Sequence, residues 1–176
     1  MAAAGKSTVA GPLAAVLGVP LLSKDKIMEA LHDAVGVQAS AAWRSTLSRT
    51  ADSALVSIAA ALDGGAVLDN FWRKETACDL LEPIKSPLVE VYCRVEPELA
   101  VSRWFRRDRA AIHGDEERSP GREEALQVMR KRAAILPIGF LGPVVEVDAS
   151  EDVDIDRVAA LVMHEAEALA HKETMT

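Results

Sequence analysis

Short apolar runs and longer stripes of period three to four alternate along this chain, and each change of period marks a change of element. Lys6 to Leu17 reads as a helix, although Pro12 falls inside it. Val19 to Leu22, bounded by Gly18 and Ser23, suits a buried strand. Asp25 to Val35 follows as a helix with Ile27, Met28, Leu31 and Val35 on one face. A long helix is predicted from about Ala41 to Leu62, striped by Trp43, Leu47, Ala51, Ala54, Leu55, Ile58 and Leu62. Gly64 and Gly65 stop it. Ala66 to Asp69 is the next buried strand, and a short helix from about Glu75 to Leu81 ends before Pro83. Leu88 to Cys93 is a strand. Pro97 then opens a helix that runs to about Asp108, the first turn being a place where proline is tolerated. Gly114 to Gly121 is a charged loop, Glu123 to Ile135 a helix and Val144 to Val147 a strand. From Asp154 to about Leu169 an amphipathic helix places Ile155, Val158, Val162, Ala166 and Leu169 on one side. Strands alternating with helices predict an α/β domain with a mainly parallel sheet. With no repeat or flexible linker, residues 1–172 read as a single domain and 173–176 as a tail.

Composition narrows the partners. A chain of 176 residues suits one domain, and at 49% hydrophobic it can build a core, which excludes a disordered chain. Aromatics are only 4%, so that core must be mostly Ala, Val, Leu and Ile. A net charge of −7 argues against broad binding to nucleic-acid backbone. Cys78 and Cys93 form neither a disulfide framework nor CxxC spacing, which fits a reducing, cytoplasmic location. His32, His113, His164 and His171 lack metal-ligand spacing and read as surface residues. Val9 to Leu22 crudely resembles a signal peptide, but Gly11, Pro12, Gly18 and Pro20 interrupt it and no small-residue cleavage site follows. It also falls short of the roughly 20 residues a membrane helix needs. The expected partner is a small molecule, with neither nucleic acid nor membrane.

Four places carry candidate chemistry. Gly5-Lys6-Ser7-Thr8 opens the first helix and fills the second half of the phosphate-loop pattern GxxxxGK[ST]. The first glycine of that pattern would fall one position before Met1, so the strand leading into the loop is expected to be missing as well. Gly5 lets backbone approach a phosphate, and amides at a helix start favour an anion. Lys6 would neutralise phosphate, and the Ser7 hydroxyl would hold Mg²⁺. A capped, small-residue helix start remains the plain alternative. Asp25 lies at the carboxyl end of a strand, where open α/β sheets bind ligands. It would take a proton from a substrate hydroxyl, or else Ser23 or Asp25 merely caps a helix. Asp69, before Asn70-Phe71-Trp72, would act on Mg²⁺ through water or on substrate, or serve only as a turn residue. Arg103, Arg106, Arg107, Arg109, Arg118 and Arg122, diluted by Asp108, Asp115, Glu116 and Glu117, suit a lid over transferring phosphate or a solvated face.

These residues carry a family resemblance. Leu21-Leu22-Ser23-Lys24-Asp25-Lys26-Ile27 with Glu29-Ala30-Leu31 and Gly36 resembles small P-loop kinases of the AAA_33 group, kin to chloramphenicol phosphotransferase and zeta-toxin-like kinases. The likeness continues at Val67 to Phe71, at Val89 to Arg94 with Pro97-Glu98, and at Ser119-Pro120-Gly121. It implies a P-loop NTPase-type sheet of kinase strand order 2-3-1-4-5 flanked by helices, its first strand missing from this chain. It further implies that Gly5, Lys6, Ser7 and Thr8 hold the phosphates of ATP and Mg²⁺, with Asp25 as base. Arg103 and Arg107 would contact nucleotide and phosphate, and Arg118 or Arg122 would be the arginine of a lid at about 108–122. Asp148-Ala149-Ser150 would form the adenine loop.

The activity expected is ATP-dependent transfer of a phosphoryl group to a hydroxyl of a small molecule. Its rivals are a nucleotide-binding protein without useful catalysis and a P-loop ATPase.

Overall fold

The computed structural model describes residues 1–36, 40–107, 111–113, 121–139 and 141–174, the side chains of 111, 173 and 174 excepted. The first helix, α1 (Lys6–Leu17), buries Val9, Ala10, Leu13 and Ala14. Pro12 is tolerated because it faces solvent, so water can satisfy the carbonyl whose partner amide proline lacks. Gly18, left-handed at φ 67°, ends the helix by turning its N–H back to Ala14 and Ala15. Next come β1 (Leu21–Ser23) and α2 (Lys24–Val35). Helix α3 (Ala41–Ala60) is capped by the Ser40 hydroxyl, which accepts from the Trp43 amide at 3.1 Å. Strand β2 (Val67–Asp69), α4 (Ala77–Leu81), β3 (Glu90–Arg94) and α5 (Pro97–Arg106) follow. A 3₁₀ turn, Ala111–His113, stands before α6 (Arg122–Ala133), β4 (Val144–Asp148) and α7 (Ile155–Thr174).

The sheet is split. Strands β1 and β2 pair in parallel, with Leu22 opposite Leu68. Strands β3 and β4 pair in parallel, with Tyr92 opposite Glu146 and Arg94 opposite Asp148. Among the described residues no ladder joins β2 to β3. Between them lies an apolar slot of about 490 Å³, walled by Val67 and Leu68 of β2, Val91 and Cys93 of β3, and Val9 and Leu13 of α1. The pairings β1–β2 and β3–β4 are the 2-3 and 4-5 neighbours of the expected order, and the slot lies between the two pairs. One expectation needs correcting. Leu21 is 41% exposed, so the first strand is not buried; it is the outer edge of its pair and is covered on fewer sides.

Packing follows the split. One cluster joins Met1, Ala4 and Val9 to Cys93, Val101, Trp104 and Met129 beside β3. Another gathers Leu55, Val56 and Leu81 behind β1 and β2. Among the described residues the buried core is mostly Ala, Val, Leu and Ile, as the composition requires, with Met1, Met28, Met129, Cys93 and one aromatic, Trp104. None of the described helices is long and apolar enough to cross a membrane.

Candidate active site

The start of α1 opens into a cavity of about 1540 Å³ at the carboxyl ends of the strands. Gly5 precedes the helix in the left-handed region (φ 81°), where glycine alone is unstrained. A Cβ there would lie 3.4 Å from the Ala149 Cβ, an ordinary contact, so it is the backbone conformation and not space that calls for glycine. Lys6, Ser7 and Thr8 follow on the first turn and line the cavity. The Lys6 ammonium donates to the Met1 carbonyl at 2.9 Å. Burial lowers its pKa, an effect that the Asp69 charge opposes.

Ser7 and Asp69 meet across the two elements. The Ser7 hydroxyl donates to Asp69 Oδ2 at 2.6 Å, joining the start of α1 to the end of β2. Asp69 is buried, which sets it apart from an ordinary turn residue. A hydroxyl beside a carboxylate is a hard oxygen donor pair, the kind Mg²⁺ takes directly or through water. These residues therefore fit that ion.

Asp25 lies in the first turn of α2 and is half exposed toward the same cavity. Ser23 occupies the N-cap without a side-chain capping bond, so the capping role considered for Ser23 is not seen. The segment around Asp25 is fixed from behind. Lys24 pairs with Asp52 of α3 at 2.7 Å, and Asn70 donates to the other oxygen of Asp52 at 2.8 Å. That bridge ties α2, α3 and the end of β2 together.

Arg103 and Arg107 reach the cavity from α5. Arg103 holds the loop after β4, donating to the carbonyls of Ala149 at 2.6 Å and Ser150 at 3.1 Å. Arg107 lies 5.8 Å from the Trp104 ring centre. Arg122 sits over Phe105. Arg118 and most of the expected lid, 108–110 and 114–120, lie outside the described residues.

Two cavity residues were missed in the sequence. Arg132 of α6 stands 5.2 Å from the Phe71 ring, and its place in a basic helix end gave no sign of this. His113 was expected at the surface. Instead it is 4% exposed, with Nε2 2.9 Å from Glu29 Oε1 and Nδ1 3.8 Å from Asp25 Oδ1. Its neighbours on α2 lie far off in the sequence, so no local spacing could reveal the contact.

A glycine-led helix start carrying Lys and Ser, set against an acid at the end of a parallel strand, is the arrangement of an α/β protein with a P-loop NTPase-like fold. The chain belongs to the AAA domain family AAA_33, whose profile matches residues 1–136. A solved protein of Chloroflexus aurantiacus, described as a candidate kinase, shares 25% identity with it at a TM-score of 0.71. That match covers 93% of this chain and 92% of the other. No curated protein matches. The fold and family together are those of a P-loop, kinase-like protein.

Proposed function

We propose that the protein transfers the γ-phosphoryl group of ATP to a hydroxyl of a small molecule. One observation carries this reading: a single cavity holds both the Gly5-to-Thr8 cradle with Asp69 and a half-exposed carboxylate, Asp25, in the first turn of α2 just after β1. A nucleotide-binding module needs the first of these and has no use for the second.

The amides at the start of α1 and the Lys6 ammonium would bind the phosphates, and Ser7 with Asp69 would hold Mg²⁺. Bound there, Mg²⁺ supplies charge neutralisation on the phosphate oxygens. Arg103 keeps the loop at Ala149 and Ser150 in place, where the base of the nucleotide would lie. Arg107 and Arg132 add positive charge to the cavity wall. Asp25 orients the acceptor and takes its proton as the oxygen attacks phosphorus. A small molecule reaching Asp25 would pass Arg44, Ser45 and Ser48 of α3.

Two substitutions test this. ATP·Mg²⁺ should raise the melting temperature, since a ligand bound by the folded state alone stabilises it. Lys6→Ala should remove most of that shift; an undiminished shift would sink the phosphate-cradle assignment. Asp25→Asn should keep the shift while phosphoryl transfer falls by about 10²–10⁴-fold, the usual contribution of a positioned base. Transfer is read as ADP release over a panel of hydroxylated metabolites. A wild-type chain that binds ATP but transfers to none of them would favour the non-catalytic rival.

A further inference from the structure

The Lys24–Asp52–Asn70 bridge groups one wall of the cavity with Asp25: α3 and the segment after β2. From α3 come Ala41, Arg44, Ser45 and Ser48, whose spacing of three and four puts them on one face. Asp52 continues that face one turn on, but its carboxylate is neutralised by Lys24 and bonded by Asn70. From the segment after β2 come Asn70, Phe71 and Arg73, so among the described residues no carboxylate of α3 or of 70–73 lines the cavity. Thr50 of α3 turns its hydroxyl back to the Thr46 carbonyl at 3.0 Å. Ser45 and Ser48 make no such bond among the described residues, which leaves their hydroxyls to the cavity. The Arg73 carbonyl accepts the amides of Thr76 and Ala77 at 3.1 and 2.9 Å, which fixes its backbone ahead of α4. Arg73 is exposed, and its guanidinium makes no ion pair among the described residues.

We infer that the acceptor is a hydroxylated molecule carrying an oxyanion, a phosphate or a carboxylate, bound by Arg73 with Ser45 and Ser48 while its hydroxyl meets Asp25. This rests on the reading of the cavity as a kinase site. A guanidinium presents its N–H donors in a fixed fork that matches two oxygens of a carboxylate or phosphate, and a serine hydroxyl can donate to a further one. The chain as a whole carries a net charge of −7 and repels anions, so an anionic acceptor needs a local positive wall; Arg44 and Arg73 supply it. A neutral polyol asks for something else. Its hydroxyls donate as well as accept, and they are best met by side-chain carboxylates and amides. The amide on this wall is already used: the Asn70 oxygen accepts the Phe71 amide at 2.7 Å and its nitrogen donates to Asp52. Donors therefore dominate the wall, as an oxyanion requires. Met28 and Phe71 add apolar surface for a carbon skeleton.

The plainer role of Arg73 is a solvated turn residue. Binding separates the two without needing the true acceptor. The full chain is loaded with the β,γ-methylene analogue of ATP and Mg²⁺, which fills the γ position and transfers nothing. Inorganic phosphate or acetate is then added against chloride of equal ionic strength, and the melting temperature is read. At least one oxyanion should add a saturable shift, and the stronger of the two names the group. Arg73→Gln should weaken that anion about tenfold, the loss of one charge-assisted bond, while keeping the shift due to the analogue. Arg73→Lys, which keeps the charge and loses the fork, should fall between. An anion shift that is undiminished in Arg73→Gln, or absent from the wild type, overturns the proposal. No shift from the analogue itself overturns the kinase reading and this one with it. Transfer gives a second readout, as ADP release with glycerol, glycerate and glycerol 3-phosphate. A charged member should show the lower KM, and Arg73→Gln should raise that KM about tenfold without changing transfer to glycerol. Equal kcat/KM for the neutral and charged members, in the wild type and in Arg73→Gln alike, would keep the kinase and overturn the anionic acceptor.

Discussion

Gly5→Ala forces a side chain into the left-handed region that Gly5 occupies at φ 81°, costing about 1–2 kcal/mol, measurable by denaturant melts. The place of Gly5, Lys6 and Ser7 at a helix start was readable because the three are consecutive and head an apolar helical pattern. His113 was not readable, because its meaning comes from Asp25 and Glu29, which the fold alone brings near.

At the scale of elements, apolar periodicity carried most of the information. Helix α1 begins at Lys6 and ends at Leu17 as the pattern predicts, and α2, α3 and α6 start and stop within a few residues of expectation. Strand burial was less legible: an apolar run such as that around Leu21 and Leu22 looks the same at an edge as in the interior. The split between β2 and β3 leaves their slot-facing amides and carbonyls without strand partners among the described residues. Buried polar groups without partners cost about 1–3 kcal/mol each. Adding a five- to six-residue apolar strand (a usual strand length), joined through a glycine turn ahead of Met1, should therefore raise the melting midpoint and slow amide exchange at Val91 and Leu68. Equal midpoints with full cooperativity in both chains would mean that no strand belongs in the slot.

Across the whole molecule, the split sheet divides the labour of the site. The β1–β2 half supplies Asp25 and Asp69, the β3–β4 half supplies Arg103, Arg107 and the loop at Ala149, and α1 lies between them. Leu55, fully buried behind β1 and β2, tests the first half: Leu55→Ala should cost about 2–5 kcal/mol in a denaturant melt. The second half depends on Met129, packed near Trp104 and Ala149 instead. The likeness to the C. aurantiacus protein shows that this division leaves the overall fold recognisable. Its consequence is thermodynamic. A nucleotide that spanned the cavity would hold together two halves that share no backbone ladder among the described residues, so its binding would order the protein as well as the ligand, at a cost in conformational entropy. Calorimetric titration with ATP·Mg²⁺ should show a more unfavourable entropy and a more negative heat-capacity change for this chain than for the strand-extended one. Matching signatures would mean that α1 alone already makes the two halves one rigid body, and that the ligand finds its site assembled.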